Sequence, residues 1–243
     1  VVSGYLSAYN ARSFGVQDYI AQFMFNSPPG HSDAMDLAKM LAILEMIEPL
    51  SSIPASTIGE AATDQRPFRI WRQTRTGLLS YPLHPAQARA HLAASIYFQM
   101  SLAPHIVHVV GHTEAHHAAT ADEVIEACHL ARRAIENALA GQPDMKADPV
   151  VQARRAELVQ EAHVTLEAIR RLHRAREGDP FTDPHTLAKS VQVGILDAPH
   201  LRNNPYAMGK IATQIDRRGA CVVIDPTSGQ ALSEQERISR LSF

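Results

Sequence analysis

The chain has 243 residues, 45% hydrophobic and 20% charged, which suits a globular body whose core needs no metal or disulfide staple. Lys and Arg number 23 against 25 Asp and Glu, a net charge of −2, so no basic field recommends nucleic acid or an anionic membrane as partner. No run reaches the roughly 20 apolar residues of a spanning helix, and two distant cysteines, Cys128 and Cys221, without a signal segment, suit buried thiols in a reducing cytoplasm.

The chain opens Val1-Val2-Ser3-Gly4 without a methionine, as a piece of a longer protein or one half of a divided one would. Residues 1–9 alternate loosely and predict a strand, whereas Val16 to Phe23 has helical spacing that ends at Asn26-Ser27-Pro28-Pro29-Gly30. Ser32 or Asp33 caps a helix with Leu37, Met40, Leu41, Leu44 and Ile47 on one face, stopped by Pro49. Ser51 to Gln65 is polar. Phe68 to Trp71 predicts a short strand, and Arg72 to Gly77 a polar loop. A turn at Tyr81-Pro82 precedes a helix from Pro85 to about Leu102. Ile106 to Val110 predicts a short buried strand, running into a His-rich loop over 111–119. Thr120 and Glu123 then form a capping box for a helix to Leu139, closed by Gly141.

Asp148-Pro149 opens a long helix with Leu158, Ala162, Leu166, Ile169 and Leu172 inward and the pairs Arg154-Arg155 and Arg170-Arg171 in water. Residues 191–196 and 220–225 predict strands, and Ser233 with Glu236 boxes a last short helix. The expected organisation is an α/β body over 1–141 and a helical and short-strand extension over 142–243 packed on it.

The densest polar cluster, His112-Thr113-Glu114-Ala115-His116-His117, follows a strand, where barrel and open-sheet α/β proteins place their sites. His112, Glu114 and His116 leave a metal-dependent lyase or hydrolase open, but the spacing is not that of a helical His-Glu-x-x-His and no Cys or Asp completes a set, so no metal is expected. Arg72 and Arg75, with Arg69, are spaced by three and offer guanidinium forks to a carboxylate, such as a substrate's, or to a phosphate. No phosphate-binding loop or serine nucleophile elbow is present.

Several ordered segments resemble one family. Phe14-Gly15-Val16-Gln17-Asp18-Tyr19-Ile20-Ala21-Gln22, Tyr81-Pro82 and His108-Val109-Val110-Gly111-His112-Thr113-Glu114-Ala115 are similar to the carboxy-terminal half of the large (E) subunit of glutamate mutase, also called methylaspartate mutase. So are Gly194-Ile195-Leu196-Asp197-Ala198-Pro199, Tyr206, Gly209-Lys210 and Gly219-Ala220-Cys221-Val222. The resemblance implies the second half of a (β/α)8 TIM-type barrel with a carboxy-terminal helical and short-strand extension. It implies an isomerase that, with a small cobalamin-binding subunit, uses adenosylcobalamin for the radical rearrangement of glutamate to 3-methylaspartate or a related small amino acid. Glu114 matches the family glutamate that hydrogen-bonds the adenosyl ribose, and the resemblance extends the coenzyme wall to Tyr81, Val110 and Ala118. Val110 stands where the family has a lysine contacting the adenosyl group, which leaves His112 or His116 as the nearest polar replacements and adds them to the catalytic candidates. The family's main carboxylate-binding arginines belong to the first barrel half, which nothing here matches. A complementary half or a second copy is therefore expected to cover the open edges. Val110 and that missing half also admit a mutase-like subunit that has lost radical chemistry and serves as a non-catalytic or ligand-binding partner. Asp183-Pro184-His185-Thr186-Leu187-Ala188 falls short of the Asp-x-His-x-x-Gly signature of cobalamin modules at Ala188 and reads as a coincidence.

Overall fold

The computed structural model describes residues 1–52, 67–173 and 177–243; the polar stretch expected over Ser51 to Gln65 lies, from residue 53 on, outside them. Among the described residues the α-helices and strands are, in chain order, α1 (Val2–Ser13), β1 (Asp18–Phe25), α2 (Asp33–Ile47), β2 (Arg69–Thr76), α3 (Pro85–Gln99), β3 (Ile106–His108), α4 (Ala121–Leu139), α5 (Pro149–His173), α6 (Pro184–Gln192), β4 (Ala212–Ile215), β5 (Cys221–Ile224) and α7 (Glu234–Ser239).

The first two expectations are reversed. Residues 2–13 are helical and 18–25 extended. The pair Tyr5 and Tyr9 fits either period, and their packing on the edge of the Phe181 ring, at centroid distances of 5.9 and 5.5 Å, selects the helix. In the next segment Val16, Tyr19, Ile20 and Phe23 have helical spacing, yet it is Ala21, Phe23 and Phe25 that are buried, and that period of two wins because β1 pairs along its whole length with β2.

β1, β2 and β3 form a parallel sheet in sequential order, with α2 and α3 as crossovers. Val1 to Gly141 therefore holds, among the described residues, three βα units. β2 runs through what was expected to be the loop Arg72 to Gly77. Its two buried positions, Thr74 and Thr76, are polar, and Thr76 Oγ1 is satisfied by Ser95 Oγ at 2.9 Å and Gln99 Nε2 at 3.0 Å on α3. β3 is short, and Ile106 and His108 are exposed rather than buried.

α2 presents Leu37, Ala38, Met40 and Ile47 to Ala21, Phe23 and Phe25, its amino terminus capped by Ser32. α4 carries the expected capping box and packs Ala127, Ala131 and Ala134 against Leu92 and Ile96 of α3. α5 packs on α2, α1 and α7. Its Ala162, Leu166 and Ile169 are buried as expected, while Leu158 and Leu172 are only half-buried. Arg154 is buried, not solvated, and meets Glu157 at 3.0 Å. Residues 191–196, expected as a strand, close α6 and turn at Gly194. β5 and the boxed α7 are as expected, and β4–β5 is an antiparallel hairpin.

Candidate functional site

Helices cover one face of the parallel sheet. The other face carries Asp18, Ile20, Gln22 and Met24 of β1, Arg69, Trp71, Gln73 and Arg75 of β2, and Ile106 and His108 of β3. Ile20 is 52% exposed, although parallel sheets are normally buried on both sides. Asp18 at the amino-terminal end accepts from Arg69 Nε and Nη2, at 2.8 and 2.7 Å, and from the Trp71 indole at 2.8 Å. At the carboxyl end Arg75 stands in register between Met24 and His108, and its buried Nε has no hydrogen-bond partner among the described residues.

Residues three apart on a strand face opposite ways, so the arginines do not converge. Arg72 lies on the helix-covered side, where Nε donates to the Ala103 carbonyl at 3.0 Å and Nη1 approaches Glu48 at 3.9 Å. It is thereby removed from the substrate-carboxylate pair in which it was expected, and Arg75 alone stays at the carboxyl edge.

The loop after β3 supplies the remaining candidates. Glu114 is exposed and folds back so that Oε1 accepts the Gly111 N–H at 2.5 Å. A side chain on Gly111 would come within 3.0 Å of that carboxylate, so the absent Cβ makes room for the turn. Tyr81 is buried and donates its hydroxyl to the Val110 carbonyl at 2.7 Å. Burial first, and the Glu114 charge with it, pushes the Tyr81 phenol up to about 12, while Thr76 and the Arg75 charge pull the other way. Tyr81 thus joins the Glu114 loop to the Arg75 strand. The Val110 side chain is in the α3–α4 core, so it offers no wall to a coenzyme. Ala118 is exposed.

The histidines separate. His112 is 1% exposed, with neither ring nitrogen hydrogen-bonded among the described residues and Glu126 Oε2 3.5 Å from Nε2. His116 is exposed, and its Nε2 lies 3.3 Å from the Pro82 carbonyl oxygen. Among the described residues no group of three or more His, Cys, Asp or Glu side chains is placed to hold a metal ion. Asp183 is the α6 cap, accepting from the His185 and Thr186 amides at 3.3 and 3.1 Å.

The sequence reading missed a second polar cluster at the same edge. Asp36 of α2 is 1% exposed and accepts from the Asn26 amide just past β1 and from Lys39 Nζ at 2.7 Å, with His31 Nδ1 at 3.3 Å. A carboxylate on the stripe that also carries Met40 and Ile47 was the signal for it. The thiols also differ from expectation, since Cys128 is exposed and Cys221 half-buried.

No family model matches the chain, and no curated protein matches it. No helix among the described residues is long and apolar enough to cross a membrane.

Proposed function

We propose that this chain is a portion of the catalytic subunit of an adenosylcobalamin-dependent carbon-skeleton mutase acting on glutamate or a related small amino acid. The observation that carries the reading is the open face of the parallel sheet, ending at Arg75, whose buried Nε is without a hydrogen-bond partner among the described residues, with the exposed Glu114 in the loop past β3. The order of motifs similar to the glutamate mutase large subunit supports it.

The residues present fit the group. Glu114 Oε2 suits a ribose diol, since a carboxylate oxygen accepts from hydroxyls, and Arg75 suits a substrate carboxylate. Adenosylcobalamin, when bound, supplies the radical that such a rearrangement needs. Glu114 orients, with its own direction fixed by the Gly111 amide. Arg75 neutralises and positions a carboxylate. Tyr81 holds the loop against the strand through the Val110 carbonyl. One sheet face forms only one wall, so water is excluded, and the other carboxylate bound, by a complementary barrel half or a second copy, together with a small cobalamin-binding subunit. A mutase-like partner without radical chemistry is the second reading, favoured by Val110, whose apolar side chain is in the core where the family places a lysine.

Glu114→Gln tests the assignment in the assembled complex. One carboxylate oxygen is engaged internally, so the loss is that of about one charge-assisted bond, about 1.5–3 kcal/mol or about a 10- to 150-fold weaker coenzyme Kd. Unchanged coenzyme affinity refutes the role.

A further inference from the structure

The β4–β5 hairpin is fastened at its turn to the connection between β1 and α2. The Ser32 amide donates to the Gly219 carbonyl at 3.0 Å, the Ser32 hydroxyl donates to the Arg218 carbonyl at 2.8 Å, and the Cys221 amide donates to His31 Nε2 at 3.2 Å. At the opposite end of the hairpin, where Ala212 pairs with Ile224, a cavity of about 290 Å³ lies between β4, β5, α7 and the turn that closes α6. Val193, Met208, Ile211, Val223, Leu232 and Leu241 line it, and each is only half-buried. β5 is apolar throughout, the composition of a strand covered on both sides, yet none of its four residues is fully buried.

The segment that walls the cavity is held in an unfavourable backbone shape. Met208 has φ +60°, left-handed for a residue with a side chain, and Gly209 follows at φ +61°, where a Cβ would lie 2.5 Å from the Leu201 carbonyl oxygen. Asp197 holds this shape, its carboxylate accepting the amides of Gly209, Lys210 and Ile211 at 2.6, 2.7 and 2.8 Å. The strained turn thus sets a methionine, whose unbranched side chain adapts to the shape of an occupant, on the cavity wall.

We propose that this cavity binds a small hydrophobic carboxylate, its apolar body among the half-buried side chains and its head at Lys210 and Arg240. The sign of the head follows from how the charges around the cavity are used. Arg237, buried beneath it, is committed to the Gly194 and Ile195 carbonyls at 2.6 and 2.8 Å and to Glu234 at 2.7 Å. Asp197 is occupied by backbone amides, and Asp225 by Arg240 together with the Thr227 and Ser228 amides at 2.8 and 3.0 Å. Lys210 is exposed, and its ammonium has no partner among the described residues. Arg240, also exposed, lines the same cavity. The charge left to meet a ligand is therefore positive and stands at the solvent side of an apolar space, which is the pattern an amphiphilic anion requires. The volume is at the small end for ligand pockets, which suits one short chain or a single ring. This site does not depend on the mutase reading.

The full chain is titrated with octanoate and with octanol, below the concentration at which octanoate forms micelles, and followed by NMR of methyl-labelled Ile, Leu and Val. Saturable binding is expected to shift the methyls of Val223, Ile224, Leu232 and Leu241 and to leave those of Leu92 and Ile96 in the α3–α4 core in place. Octanoate is expected to bind about three- to tenfold tighter than octanol, the gain from an exposed charge pair. Lys210→Gln brings octanoate down towards octanol and leaves octanol affinity unchanged, which also shows that the variant is folded. An octanoate advantage that survives Lys210→Gln overturns the assignment of the head. Octanol bound as tightly as octanoate by the natural chain, shifts spread over methyls remote from the cavity, or no saturable binding of either, as for a face that a protein partner covers, overturns the proposal without any variant.

Discussion

Replacing Asp36 by Ala removes the acceptor on which three segments converge. The carboxylate is 1% exposed, takes the Asn26 amide at the end of β1, pairs with Lys39 Nζ at 2.7 Å and faces His31 Nδ1 at 3.3 Å. A hydrogen bond to a charged acceptor contributes about 1.5–3 kcal/mol, and breaking a buried pair by removing one partner costs about 3–5 kcal/mol. The Lys39 side chain is 22% exposed and regains water, so its share is the smallest. The sum is a loss of about 3–5 kcal/mol, which at about 2–4 °C per kcal/mol for a chain of this length lowers Tm by about 6–20 °C. Asp36→Asn keeps one acceptor oxygen and is expected to lose about half as much. Urea unfolding followed by circular dichroism measures the difference, with Asp33→Ala as reference. Asp33 is exposed in the same first helical turn, where a carboxylate is worth less than about 1 kcal/mol. An Asp36→Ala protein no less stable than the Asp33→Ala protein refutes the reasoning.

Gly219→Ala is expected to destabilise by about 2–4 kcal/mol in thermal unfolding, since φ is +80° and the added Cβ meets Ser32 N at 2.6 Å. Gly229→Ala, at φ +69° with nothing within 4 Å, costs only about 1 kcal/mol, and equal losses at the two sites contradict the docking of the hairpin. The Thr120 amide, with His117, holds the Glu123 carboxyl at about 2 instead of the ordinary 4.5. A depressed folded value stabilises above the unfolded one and is lost as pH falls, so Tm declines between pH 4.5 and about 2 more steeply in the natural chain than in Glu123→Gln. Equal slopes in the two proteins contradict that assignment.

What the sequence revealed was local. The boxes Thr120 with Glu123 and Ser233 with Glu236, and the Ser32 cap, need only a few neighbouring residues and are where the spacing placed them. α1 and β1 were exchanged because their apolar spacings satisfy both periods, and only the aromatic contacts to Phe181 and the pairing with β2 decide between them. β2 was shortened because Thr74 and Thr76 are polar yet inward, and the partners of Thr76 are 19 and 23 residues away. The position of Glu114 in the loop past β3 was legible from the strand-like run before it. The separation of Arg72 from Arg75 needed the true extent of β2, and the burial of Val110 needed the α3–α4 core. Cys221 and His31 stand 190 residues apart, beyond the reach of any spacing rule.

The most direct test of the mutase assignment is methylaspartate formation from glutamate with adenosylcobalamin. It is measured for the chain alone, with a small cobalamin-binding subunit, and with that subunit plus the complementary barrel half. One sheet face with Arg75 and Glu114 supplies a single wall, so turnover is predicted only in the complete set, and is lost when this chain is withheld. Full turnover by the lone chain, or none in the complete assembly, contradicts the account.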